Sequence, residues 1–152
     1  MTDTPTATTA PILRKTERSL PIALLRARET VMEPVRDMLS RSQISEQKWR
    51  VLRVVAESGP MEQTAIAQAA CLLLPSLTRI MHAMEKDGLL LRAPGKKDRR
   101  KSIVTITDKG LALIQEHAAE SNAIFARLEA EFGKDELETL LDLLEKLQST
   151  RL

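Results

Sequence analysis

Residues 74–106 read LPSLTRIMHAMEKDGLLLRAPGKKDRRKSIVTI, and three signals lie in that one stretch. Leu77, Ile80, Met81 and Met84 recur at i, i+3, i+4 and i+7, the spacing of a single buried helix face. Pro75 stands at a first-turn position before them, and Asp87-Gly88 supplies the stop. The period then changes to two short apolar runs, residues 89–92 and 102–106, which predict strands on either side of a polar loop. That loop, residues 94–102, carries Lys96, Lys97, Arg99, Arg100 and Lys101 against Asp98 alone. It concentrates a net +4, where the whole chain carries only +2.

Upstream, Ser45 predicts a helix N-cap, with Ile44 and Trp49 placed as a hydrophobic staple. Trp49, Leu52 and Ala56 make the stripe expected to be buried, and Ser58-Gly59-Pro60 ends the helix. A short helix over about 61–69 follows, expected to bury Ala65 and Ile66. Three helices with short links, the last with a polar outer face, form a helix-turn-helix, and the hairpin after it is a wing.

Both flanks of this block are helical. A first helix from near Ser19, with Pro21 in its first turn, carries Leu24, Leu25, Arg28, Val31, Met32, Val35 and Leu39 on one stripe. Pro34 inside that stripe predicts a kink. After the wing, Thr107 caps a helix in which Leu111, Ile114, Ala118, Ser121, Phe125, Leu128 and Phe132 repeat in heptad-like steps. Gly133 breaks it, and a last helix from about Asp135 carries Leu137, Leu140, Leu141, Leu144 and Leu147. The expected fold is mainly α with a small β-hairpin wing. Residues 1–18 form a disordered tail, 45–107 the winged helix-turn-helix, and 19–44 with 108–152 a helical dimerisation region. The flanking stripes have no sheet to cover them, which predicts a homodimer.

Composition narrows the function. Aromatic residues are 2% of 152, too few for a β-sandwich core or for the stacking platforms of a single-strand nucleic-acid binder. One cysteine excludes an internal disulfide and a multi-cysteine zinc site. No run approaches a membrane span, and no signal-peptide core is visible, so a cytoplasmic protein is expected. With two histidines, no glycine-rich phosphate loop and no ligand cluster, neither an enzyme nor a bound cofactor or metal is expected.

The loop charges, taken alone, fit a solvated surface as well as a binding one. On top of a hairpin beside a helix-turn-helix they fit a wing lying on double-stranded DNA, where cations release counterions from phosphates. Asp98, two residues before Arg100, can hold its guanidinium extended for a narrow minor groove. On the preceding helix the apolar positions leave Ser76, Thr78, Arg79, His82, Ala83 and Lys86 outward, a set suited to phosphates and base edges. A protein-binding helical module that uses only the terminal heptads is the alternative, and it leaves the wing charge unexplained.

Leu77-Thr78-Arg79-Ile80, the run from Met84 to Leu89, Asp98-Arg99-Arg100 and Ile106-Thr107-Asp108-Lys109-Gly110 resemble the MarR family of winged-helix regulators over nearly the whole chain after the tail. The run from Ile22 to Glu29, Glu46-Gln47-Lys48-Trp49-Arg50, and Ala70-Cys71 with Pro75-Ser76-Leu77-Thr78 are similar to one branch of it. That branch represses homoprotocatechuate (4-hydroxyphenylacetate) degradation operons. The resemblance implies a repressor that sits as an obligate dimer on a pseudo-palindromic operator and is released by a small aromatic carboxylic acid. The effector's carboxylate needs a cation, for which Arg28, Arg50 and Arg53 are candidates. Trp49 can stack on its ring or simply pack in the core. Arg28 can equally snorkel or join an ion pair. A different effector, or redox sensing through Cys71, is the alternative within the family. Cys71 among Ala70, Leu72 and Leu73 reads as a small buried hydrophobe, and His117 as an exposed or hydrogen-bonded side chain.

Overall fold

The computed structural model describes residues 10–152, so the first nine residues of the expected tail lie outside it. The rest of that tail is not featureless. Thr16–Arg18 form a turn of 3-10 helix, closed by the Ser19 N–H on the Thr16 carbonyl at 3.1 Å. The chain divides into two units, one up to Met32 and one from Glu33. Six helices and three strands follow in the order α1 (Leu20–Ser40), α2 (Glu46–Ser58), β1 (Met61–Glu62), α3 (Gln63–Ala69), α4 (Leu74–Lys86), β2 (Leu90–Pro94), β3 (Ser102–Ile106), α5 (Asp108–Phe132) and α6 (Lys134–Gln148). Pro34 lies inside α1, which continues beyond it to Ser40.

Local chemistry sets the ends of these elements. The Ser45 hydroxyl accepts from the Lys48 N–H, the expected cap of α2, and Gly59 closes that helix with φ +73°. Pro75 sits in the first turn of α4, where a missing N–H costs nothing. Thr107 accepts from the Gly110 N–H at 3.1 Å to start α5.

The wing is part of a larger sheet than the hairpin expected. Met61 and Glu62, read as the start of a helix, instead form β1 and pair antiparallel with Val104 and Ile103 of β3. The strand order is therefore β1-β3-β2. Two residues are too few to display a strand period, and the pairing partner lies some forty residues away, so nothing local announces it.

One core joins α2, α3, α4 and the sheet: Val51, Leu52, Val55, Ile66, Ala67, Ala70, Leu77, Met81, Met84, Leu89, Leu90 and Val104. Two details differ from the sequence reading. On α2 Trp49 and Leu52 are buried as expected, but Val51 and Val55 complete the buried face and Ala56 is only half-buried; on α3 it is Ala67 that joins Ile66 while Ala65 is exposed. The larger β-branched side chains fill the core and so fix the helix rotation; alanines give little preference either way.

Three helix ends close by the same device. After α1, Gln43 takes φ +53°, with the Ile44 N–H on the Leu39 carbonyl and the Gln43 N–H on that of Ser40. After α3, Cys71 takes φ +53°, with the Leu72 N–H on Ala67 at 2.9 Å and the Cys71 N–H on Gln68 at 3.3 Å. After α4, Gly88 plays the same part, with the Leu89 N–H on Met84. In this motif the apolar contact belongs to the residue after the left-handed one, so the left-handed side chain faces water. Cys71 is accordingly exposed, not buried as its apolar neighbours suggested. A side chain in this conformation costs about 1 kcal/mol. Gln43→Gly and Cys71→Gly are each therefore expected to raise stability by about 0.5–1 kcal/mol in denaturant unfolding, with no loss of helix signal.

The far helices are barely covered. Phe125 and Phe132 of α5 are exposed, as are Leu140, Leu141, Leu143 and Leu147 of α6, which buries no residue at all. The α1–α2 corner is pinned to one face of α5 by Arg41 on Glu120 and by the Ser42 hydroxyl bonded to His117 Nε2 at 2.8 Å. His117 is thus a buried, hydrogen-bonded histidine. Among the described residues no single helix is long and apolar enough to cross a membrane.

Candidate nucleic-acid interface

Helix α4 presents its expected faces. Leu77, Met81 and Met84 are fully buried and Ile80 partly so, which leaves Arg79, His82 and Lys86 exposed and Ser76, Thr78 and Ala83 half-buried. The Thr78 hydroxyl is already engaged: it donates to the Leu74 carbonyl and accepts from Gln63 Nε2, both at 3.0 Å. Its oxygen therefore works through a network that starts on α3. No local signal in the sequence marks Gln63, because its partner lies fifteen residues on.

The wing loop is tightly turned. The Gly95 N–H donates to the Lys101 carbonyl at 2.7 Å and the Lys101 N–H to that of Asp98 at 3.2 Å. A Cβ at position 95 would lie 2.6 Å from the Asp98 carbonyl oxygen, so only glycine fits there. Asp98 holds Arg100 at three points: the backbone N–H at 3.0 Å and Nε at 3.2 Å on Oδ1, and Nη2 at 3.4 Å on Oδ2. The Arg100 side chain is nonetheless 92% exposed, a guanidinium fixed at its root and open to solvent.

The five wing cations are not equivalent. Arg100 is paired with Asp98, and Lys101 reaches Glu62 of β1 at 3.2 Å. Lys96, Lys97 and Arg99 are exposed, and among the described residues no ion pair engages them. The Arg100 backbone N–H and then its guanidinium lower the Asp98 carboxyl below its ordinary 3.8; desolvation opposes them, and Lys101 adds the least of the lowering effects. A lowered carboxylate stays charged above the ordinary range and lets go only as pH falls through the lower value. The tether is therefore constant around neutrality. In a carboxyl-carbon NMR titration, Asp98 is expected to have its midpoint below that of a free aspartate; a midpoint at or above 3.8 would contradict the arrangement.

The two halves of the surface meet. Thr78 of α4, Gln63 and Thr64 of α3, and Arg100 and Lys101 of the wing line one cleft of about 360 Å³. On the other flank of α4, Ser76, Arg79 and Ala83 share a shallow depression with Gln47 and Lys48 of α2. Lys48 is a further cation at this surface, and it lies 3.9 Å from Asp87.

A family model described as MarR family matches residues 44–102, the winged unit just described. The homoprotocatechuate degradative operon repressor of Escherichia coli is 40% identical over 128 residues, 84% of this chain and 86% of that protein. The chain belongs to the MarR family. Among solved MarR-type structures, NadR in complex with 4-hydroxyphenylacetate is 32% identical, with a TM-score of 0.79, covering 93% of this chain and all of that one. CouR bound to a 23-mer DNA duplex is 28% identical, with a TM-score of 0.74, over 91% of this chain and 99% of that one.

The candidate effector residues of this MarR chain are divided. Trp49 is 6% exposed and meets His117 edge-on at 5.8 Å, and the Arg53 guanidinium lies 6.0 Å from the Trp49 ring centre while pairing with Glu57 at 2.8 Å. Arg50 is half-buried, and its Nε is buried with no hydrogen-bond partner among the described residues. Such a donor is costly to leave unmet. Arg28 lies in the first unit, beside Glu29 at 3.8 Å.

Proposed function

We propose that the chain is a homodimeric, ligand-responsive transcriptional repressor of an aromatic-acid catabolic operon, one that binds double-stranded DNA and is not an enzyme. The observation that carries this reading is the cleft shared by α4 and the wing, with Arg100 held open at its edge by Asp98. In each subunit α4 enters a major groove with Ser76, Thr78, Arg79, His82 and Lys86. The wing follows the backbone with Lys96, Lys97, Arg99 and Lys101, and Arg100 reaches the flanking minor groove. Residues 45–107 do this work. The exposed apolar faces of 19–44 and 108–152 support their role in pairing with a second copy, which sets two half-sites about 34 Å apart on a pseudo-palindromic operator.

The relative from Escherichia coli is named as a repressor of a homoprotocatechuate operon, and NadR was solved with 4-hydroxyphenylacetate. Both favour a hydroxyphenylacetate-like effector here. Trp49, Arg53 and the unmet Nε of Arg50 suit an aromatic carboxylate, and Arg28 is a further cation for it. The effector acts by binding one subunit arrangement better than the other, which lowers the DNA-competent population. Such a protein works in the cytoplasm, where its DNA is.

Fluorescence anisotropy on the intergenic DNA upstream of the gene, against a scrambled duplex, tests the reading. Specific binding reversed by 4-hydroxyphenylacetate or 3,4-dihydroxyphenylacetate is the expected result; no preference over scrambled DNA would remove it. Arg28→Ala is expected to bind DNA as the wild type does and to need more acid for release. A normal acid response of that variant would take Arg28 out of the effector site.

A further inference from the structure

The sheet that carries the wing has a second side. Antiparallel partners share a face, so Leu90 with Ile106 and Arg92 with Val104 lie on the core side. Leu91 with Thr105 and Ala93 with Ile103 lie on the other, where Glu62 joins them opposite Ile103. The open face of such a sheet is ordinarily polar. Here Leu91 is 62% exposed, and Ala93 is exposed on the same face.

Toward the wing this apolar face is hollow. Pro60, Ala93, Pro94, Ile103 and Thr105 floor a cavity of about 650 Å³, bounded by the loop from Gly95 to Asp98 and by Lys101. That volume lies within the range of about 300–1,000 Å³ typical of small-molecule sites. Its rim is cationic after internal pairing. Asp98 is committed to Arg100 and Glu62 to Lys101, whereas Lys96 and Lys97 have no ion pair among the described residues. A DNA phosphate could use the two ammonium groups but not the apolar floor.

We propose that this hollow is a second small-molecule site, distinct from Trp49 and the α2 arginines, and that it takes an apolar monocarboxylate. The tail lies on Ala93, Ile103 and Thr105, and the carboxylate meets Lys96 and Lys97. Because the same lysines are assigned to DNA phosphates, the occupant and DNA compete directly; that consequence rests on the repressor reading, but binding itself does not.

The test is a titration of the full-length, nitrogen-15-labelled protein, free of DNA, with octanoate below its aggregation concentration. Octylammonium and inorganic phosphate serve as the other arms. Octanoate is expected to give saturable shifts at the Gly95, Ile103 and Thr105 amides, and the other two to bind at least about tenfold more weakly. Ala93→Phe fills the hollow from an exposed strand position and should abolish the octanoate response. Its melting curve and DNA affinity should stay those of the wild type. Lys96→Gln with Lys97→Gln should weaken octanoate about tenfold. An equal response to phosphate, an equal response to octylammonium, survival of the response in Ala93→Phe, or no response at all each overturns the site. In the anisotropy assay octanoate should displace DNA from the wild type but not from Ala93→Phe. Octanoate binding to a protein with no DNA preference would keep the site and discard the repressor.

Discussion

Gly110→Val should give a chain that does not reach the native state, and Gly110→Ala one that folds but is weaker by about 2–3 kcal/mol. A Cβ at this position would stand 2.5 Å from the Leu89 carbonyl oxygen and 2.7 Å from Ile106 Cγ1. The oxygen is backbone and cannot swing aside. It accepts the Thr107 N–H at 3.1 Å and the Thr107 hydroxyl at 3.0 Å, and that hydroxyl also lies 2.6 Å from the Gly88 carbonyl and accepts from Gly110. Four residues thus share one joint between the end of α4, the root of β2 and the start of α5. Moving Leu89 to admit a methyl group strains all of its bonds together. Circular dichroism and denaturant unfolding check this, with Lys109→Ala as the neighbour control. Lys109 is exposed and makes one surface hydrogen bond, to the Asp87 carbonyl, so its removal should shift stability by less than about 0.5 kcal/mol. Wild-type stability in Gly110→Ala would show that the joint is looser than these distances require.

Reversing the wing charge should remove specific DNA binding while the protein stays folded. Arg99 and Arg100 are exposed and hold up no part of the core, so Arg99→Glu with Arg100→Glu is expected to melt as the wild type does. Arg100→Ala alone separates charge from position. A well-placed arginine on a base edge is worth about 1–3 kcal/mol, and a homodimer loses it twice, which gives roughly 30- to 10⁴-fold in affinity. Asp98→Ala should fall between the wild type and Arg100→Ala, because it leaves the guanidinium present but untethered. Anisotropy over a salt series reads all three. Each phosphate freed from its cation should flatten the dependence of log affinity on log salt by about one unit, so Arg100→Ala in both subunits should flatten it by about two. An unchanged slope and affinity in Arg100→Ala would take Arg100 off the DNA.

How far the sequence could be read follows from the range of each signal. Ser45, Gly59, Pro75, Gly88 and Thr107 act within a few residues of themselves, and the structure has a cap or stop at every one. The Asp98–Arg100 tether spans two residues and was equally legible. What escaped depends on distant partners. β1 exists because β3 lies beside it. Gln63 matters through Thr78, and the Ser42–His117 bond spans 75 residues. Cys71 failed for another reason. Its exposure is decided by the backbone at a helix end, which imposes a left-handed residue whatever side chain the chain supplies. The DNA-binding and effector roles lie on a further step again, since the sequence could nominate Trp49 and Arg53 separately but not put the guanidinium at the ring.

The core has a temporal consequence. All twelve of its buried residues fall between Val51 and Val104, so these are synthesised before α5 begins, and Leu113 and Ile114 of α5 then pack against them. On the ribosome, where chains fold from the N-terminal side, the winged unit can begin to close while α5 and α6, with their exposed leucines and phenylalanines, are still being made. The order of genetic encoding is then also an order of safety for this end of the chain: the exposed apolar faces of α5 and α6 emerge onto a core whose twelve buried residues are already made.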